Sequence, residues 1–129
     1  MLINEINISP LLKAFNKFES FRANDKTDQE KAGIIQAFEY SFELTWKIMK
    51  RLLEERGRVA NSPKETFRMA ALEGFISDPE IWFEFLQKRN LTVHSYNNEY
   101  ADNVISICEL FSNEVKSFLN HFNIDYAKY

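Results

Sequence analysis

Residues 27–57 read TDQEKAGIIQAFEYSFELTWKIMKRLLEERG, and the fold is decided by how this stretch is read. Thr27-Asp28-Gln29-Glu30 has the spacing of a capping box, in which the threonine hydroxyl and the glutamate carboxylate each satisfy an otherwise orphan amide. Gly57 stands where a helix needs a residue able to enter the left-handed region. Between these signals Ile34, Phe38, Phe42, Thr45/Trp46, Met49 and Leu53 recur every three to four residues. A neighbouring row of Ala37, Ser41, Leu44, Ile48 and Leu52 widens the apolar face. A helix from about Asp28 to Arg56 is predicted. At ~1.5 Å per residue it is roughly 40 Å long, the spine of a bundle or half of a dimer seam.

The flanking chain repeats the pattern. Ser9-Pro10 opens a helix with serine as N-cap and proline at the first turn; Leu11, Leu12, Phe15 and Phe18 form its stripe, and it fades near Arg22 to Asn24. Ser62-Pro63-Lys64-Glu65 opens a short helix to about Leu72, closed at Gly74, and Asp78-Pro79-Glu80 opens a fourth that runs to about Leu91. Ile81 or Trp82, Phe85 and Leu86 are its inward positions. A fifth helix from Glu99 carries Val104, Ile107/Cys108, Phe111, Val115, Phe118 and Phe122 on one face. Ile124 to Tyr129 follow no clear pattern and are expected to fray. With three glycines, three prolines and 45% hydrophobic residues, the reading is an all-α, up-and-down bundle of about five helices, one domain over residues 1–129.

Composition narrows the function. A formal charge of −3 gives no global attraction to nucleic acid, so an RNA ligand needs a local basic surface. One cysteine and two well-separated histidines offer neither an internal disulfide nor zinc-ligand spacing, and no metal or other cofactor is expected. The absence of a long apolar run or a signal-like start points to a cytoplasmic protein with no membrane partner.

Chemistry concentrates in Arg89-Asn90-Leu91-Thr92-Val93-His94-Ser95-Tyr96. On one continuous helix Arg89 and His94 diverge by roughly 140° and His94 and Tyr96 by roughly 160°. The helix is therefore expected to end inside the stretch, with Arg89 in its last turn, His94 to Tyr96 on a bend and a new helix from about Glu99. Histidine exchanges its proton near neutral pH. Cutting RNA without a metal needs a base for the 2′-hydroxyl, an acid for the leaving 5′-oxygen and a cation for the phosphorane. His94 and Arg89 are groups of those kinds, and a dimer pairing two motifs supplies the second acid/base. Read without context, Arg89 is also a helix-end cation or an ion-pair partner, His94 a loop residue, Asn90 an exposed polar residue and Tyr96 a ring that closes a bend.

The spacing Arg89-x4-His94-x-Tyr96, together with Ala37 to Lys47, Ser62-Pro63-Lys64-Glu65 and Trp82 ahead of Arg89-Asn90, resembles the HEPN domains of HepT-like toxins. These are also called nucleotidyltransferase substrate-binding proteins. The chain departs from that pattern after the tyrosine, where Asn97-Asn98 stand in place of acidic residues. The resemblance implies a HEPN-type bundle, a homodimer or higher homo-oligomer, and a ribonuclease in which Arg89 and His94 are catalytic with Asn90 assisting. It implies Tyr96 as the acceptor of AMP from a cognate minimal nucleotidyltransferase antitoxin, and RNA as substrate. The alternative is a non-catalytic nucleotide- or substrate-binding subunit of a two-component nucleotidyltransferase. A third reading is a helical dimerisation module in which the motif is structural.

Outside the motif, Phe38, Phe42 and Trp46 read as core rather than a base-stacking platform, and Glu43 with Glu39 and Lys47 as a solvated face. Lys47, Lys50, Arg51, Arg56 and Arg58 form a basic run that is a solvated face or a guide for RNA. Cys108 reads as core, and His121 has no assigned role.

Overall fold

The structure, a computed structural model, describes residues 1–91 and 98–128. Among these residues six α-helices follow a two-stranded antiparallel hairpin: β1 (Leu2–Ile3), β2 (Ile6–Asn7), α1 (Ser9–Phe21), α2 (Asp28–Glu55), α3 (Pro63–Leu72), α4 (Pro79–Leu91), α5 (Asn98–Ile105) and α6 (Cys108–His121). A 3₁₀ turn at Tyr126–Lys128 follows. The bundle is mostly helical, as its sequence implied, and α2 is its spine, packed against α1, α3, α4 and α5. No helix among the described residues is long and apolar enough to cross a membrane.

Local signals place most helix ends. Thr27 and Glu30 form the reciprocal capping box, the Glu30 amide donating to Thr27 Oγ1 at 3.0 Å and the Thr27 amide to Glu30 Oε1 at 2.9 Å. Ser62 accepts from the Glu65 amide at 3.2 Å, and Asp78 from the Glu80 amide at 2.9 Å. Gly57 and Gly74 take φ of 77° and 80°, the left-handed geometry that lets the following amides reach back to Leu53 and Ala70.

Three expectations are corrected. Ser9 does not cap α1: it is the first helical residue, Ile8 holds the cap position, and the Ser9 amide donates to Asn7 Oδ1 at 3.0 Å. The Ser9 hydroxyl instead accepts from the N-terminal amine at 3.0 Å, because the hairpin, which turns through Asn4 at φ 54°, brings Met1 alongside it. The fifth helix is two helices. The ladder tightens where the Ile107 amide reaches only to Val104 O, at 3.3 Å, while the Ser106 hydroxyl donates to Asn103 O at 2.6 Å; a back-bonded serine of this kind bends a helix. The tail is also partly packed: Ile124 is buried and the Tyr126 ring lies edge-on to Phe15 at 6.3 Å.

Phe111 of α6 is the centre of the core. Its ring meets Phe18 of α1 at 5.4 Å, Phe38 of α2 at 4.9 Å, and Trp82 and Phe85 of α4 at 6.2 and 5.2 Å. All five are 0% exposed, and aromatic pairs of this geometry add about 0.5–1.5 kcal/mol each to the burial of their area. Cys108 is buried nearby, and burial pushes its thiol up to about 12, which leaves it protonated at neutral pH and agrees with its reading as core. A second tie joins α1 to α6: Glu19 meets Arg22 at 3.0 Å and Lys116 at 3.3 Å.

Phe111→Ala is expected to cost about 3–5 kcal/mol, because it removes the ring on which four helices converge. Leu110→Ala, at a neighbouring side chain that is 38% exposed, is expected to change stability by less than about 1 kcal/mol. Urea unfolding of the two variants measures the contrast.

Candidate active site

Arg89 reaches the site because α4 presents one face to the core. Trp82 and Phe85 are fully buried, and Arg89 follows Phe85 by one helical turn, so its side chain leaves the core edge on the side facing α2. There its Nη2 lies 2.7 Å from Oε1 of Glu43. Phe42, next to Glu43 in sequence, is itself in the core. The ion pair thus sits at the rim of the aromatic cluster, where both side chains are about one-quarter to one-third exposed (24% for Glu43, 33% for Arg89).

Glu43 gathers more than the arginine. Its Oε2 accepts from the Trp46 indole N–H at 3.2 Å and lies 3.8 Å from Lys47 Nζ. The pairing with Lys47 was legible from the i, i+4 spacing; the pairing with Arg89, across two helices, was not. Trp46 is half-buried rather than core, because its N–H must reach this carboxylate. A guanidinium carries five N–H donors in a rigid fork, so a carboxylate on one edge orients it while another edge can take a phosphate oxygen.

Asn90 is placed differently. Successive residues on a helix turn by about 100°, and Asn90 points away from the Arg89–Glu43 pair into an exposed groove between α3 and α4, shared with Lys64, Phe83 and Gln87. Arg89 and Asn90 therefore occupy the same helix end but different surfaces. His94 and Tyr96, with the bend expected to carry them, lie outside the described residues. α4 precedes that segment and α5 follows it.

The ends of the segment are tied down. The Lys88 ammonium donates to Asn103 Oδ1 of α5, and Lys31 of α2 meets Asp102 Oδ1 at 2.9 Å. The Asp102 bond is the leading reason that the Lys31 ammonium holds its proton more tightly than usual. The basic run at the end of α2 and just beyond it is partly paired: Lys50 meets Glu54 at 2.8 Å, and Arg56 and Arg58 both approach Glu73, at 3.8 and 3.5 Å. That is the behaviour of a structural, solvated face.

The chain belongs to the nucleotidyltransferase substrate binding protein like family, whose pattern it matches over residues 6–124, and within it to the HepT-like proteins. It is 30% identical to a Haemophilus influenzae protein described as a probable ribonuclease HepT, over 78% of this chain and 81% of that one. Its fold is similar to that of a Haemophilus influenzae structure described as a substrate binding domain of a nucleotidyltransferase. The TM-score is 0.83 and the identity 28%, over 92% of this chain and all (100%) of that one. A Thermus thermophilus crystal structure is also similar, with a TM-score of 0.81 and 26% identity over 88% of this chain and 99% of that one.

A double-mutant cycle between Glu43→Gln and Arg89→Gln is expected to give a coupling of up to about 1 kcal/mol, the range of a partly exposed pair. Urea denaturation of the two single variants and the double variant measures it, and zero coupling would mean that the contact contributes nothing to stability.

Proposed function

We propose that the chain is a single-domain, cytoplasmic, metal-independent endoribonuclease toxin of a toxin–antitoxin pair, acting as a homodimer or higher homo-oligomer. The observation that carries this reading is the Arg89–Glu43 pair: it orients a cation at the helix end from which the chain runs on to His94. Family membership supports it, as does the similarity to a protein described as a probable ribonuclease.

In the proposed reaction His94 of one copy takes the proton of a ribose 2′-hydroxyl, and the freed oxygen attacks the adjacent phosphorus. Arg89 stabilises the charge of the phosphorane. A protonated His94 from a second copy gives its proton to the departing 5′-oxygen, leaving a cyclic phosphate and a free 5′-hydroxyl. Asn90 assists from the same helix end by contacting the RNA rather than the reacting phosphate, since its side chain faces the α3–α4 groove.

Control is proposed to act at Tyr96. A cognate minimal nucleotidyltransferase transfers AMP from a nucleoside triphosphate to the phenolic oxygen, with pyrophosphate as leaving group. The added phosphate competes with RNA for Arg89 and fills the approach to His94. The second reading, a non-catalytic substrate-binding subunit for a separate nucleotidyltransferase, draws on the family's description and on that of the Haemophilus structure. It uses the same surface without cleavage.

RNA cleavage in EDTA separates the two. Unmodified wild-type protein is expected to cut, and His94→Ala to lose about 10²-fold or more of the rate while keeping its fold. Intact mass is recorded alongside, because a protein carrying AMP on Tyr96 is expected to be silent. No cleavage by protein of unmodified mass would leave the binding-subunit reading.

A further inference from the structure

The groove that receives Asn90 has a volume of about 620 Å³, and Lys64 of α3 and Phe83 and Gln87 of α4 line it. Its electrostatics do not follow from the needs of folding. Lys64 is the second residue of α3, at the positive end of the helix dipole, where a cation is disfavoured. Arg68 follows it by four residues on the same face, and like charges at that spacing repel. No carboxylate forms an ion pair with either among the described residues. The nearest acid in sequence, Glu65, is turned to accept from the Asn61 amide at 3.1 Å.

What holds these two cations is a ring. Lys64 Nζ lies 5.8 Å and Arg68 Cζ 5.1 Å from the centroid of Phe83, and Phe83 is fixed from below by Phe67 at 6.3 Å. A cation–π contact positions a cation without neutralising it. The arrangement contrasts with Arg56, which lies over Phe75 at 4.6 Å but also approaches Glu73. Two charges placed against the local preference of their helix, fixed in position and left uncompensated by an ion pair, fit an anionic ligand.

We propose that the α3–α4 groove binds the single-stranded RNA that flanks the cut. Lys64 in the groove, and Arg68 beside it on the Phe83 ring, contact its phosphates, and Gln87 and Asn90 face its bases. The proposal rests on RNA being the substrate and adds the surface that holds it away from the reacting bond. Glu80 and Glu84 also line the groove. They lie on α4, on either side of Phe83 in sequence, so the strand is placed with its phosphates on the α3 side of that ring. A carboxylate there can accept from the exocyclic amine of a base but repels a phosphate. Asn90 links this track to the motif, one residue after Arg89.

The test is fluorescence anisotropy with a fluorescein-labelled single-stranded RNA of mixed sequence, in a His94→Ala background of unmodified mass so that the probe stays intact. Lys64→Gln/Arg68→Gln is expected to raise Kd at least about ten-fold and to reduce the slope of log K against log salt by about 1.4, the value for two phosphates on a single strand. Lys13→Gln/Lys17→Gln, an equal change of charge on α1, is expected to shift Kd by less than about two-fold. The charge-preserving Lys64→Arg/Arg68→Lys is expected to retain binding, which separates a lost contact from a lost fold. Unchanged binding in Lys64→Gln/Arg68→Gln, equal losses in both glutamine variants, or no RNA binding by the parent overturns the proposal. Binding that depends on Lys64 and Arg68, when the wild type never cuts RNA, supports the groove and removes the nuclease reading. Cleavage by the wild type with binding indifferent to Lys64 and Arg68 does the reverse.

Discussion

The packing of aromatic rings around Phe111 is the constraint on which the rest of the structure depends. Phe18, Phe38, Trp82 and Phe85 come from three helices and meet on one ring of a fourth. Rings of this size interlock in few ways, because each pair favours edge-to-face or offset contact and the interior leaves no voids to absorb a shift. Once α4 is seated on Phe111 through Trp82 and Phe85, its rotation about its own axis is fixed. Arg89 then emerges toward α2 and Asn90 toward α3. The chemistry of the helix end follows from the hydrophobic core beneath it.

The Arg89–Glu43 pair is the polar edge of that cluster. Phe42 and Phe85 are buried, and the residues one position and one turn further on carry opposite charges that meet at 2.7 Å. A pair so exposed adds little to stability. Its consequence is directional: the carboxylate, itself shared with Trp46 and Lys47, holds the guanidinium at the last turn of α4. On the far side of the segment, α5 is short because the chain breaks at Ser106–Ile107. That break lets α5 follow its own course from Asn98, with Lys31 and Lys88 reaching it from α2 and α4. Both ends of the stretch that contains His94 and Tyr96 are therefore anchored to the spine of the bundle.

The rings around Phe111 and the ring of Phe83 differ in their exposure. Phe111 and its neighbours are wholly enclosed, whereas Phe83 stands half-buried on the outer side of α4 with two cations above it. The helical period already sets Trp82 and Phe85 on the inward side of α4 and leaves Phe83 off it. The rotation of α4 against Phe111 decides what each ring meets, and the same rotation sends Arg89 and Asn90 to separate surfaces.

The sequence by itself determined whatever is written in local hydrogen bonds and helical period. The capping box of Thr27 and Glu30, the serine cap and proline before α3, the left-handed glycines at 57 and 74, and the buried rows of α2 and α4 all act within a turn or two of the chain. Fixed helical angles likewise keep Arg89 and His94 from sharing one helix face, a statement the sequence makes without the fold. The tertiary structure alone decided the partner of Glu43, whose local spacing pointed only to Lys47; the role of Ser9, which depends on a hairpin closing over it; the break before Cys108, where an uninterrupted apolar period concealed a bend; and the stacking of Lys64 and Arg68 on Phe83. All but the break join residues from different elements, and a pairing across elements is fixed by how helices rotate and seat against one another, which no periodicity within a single helix encodes.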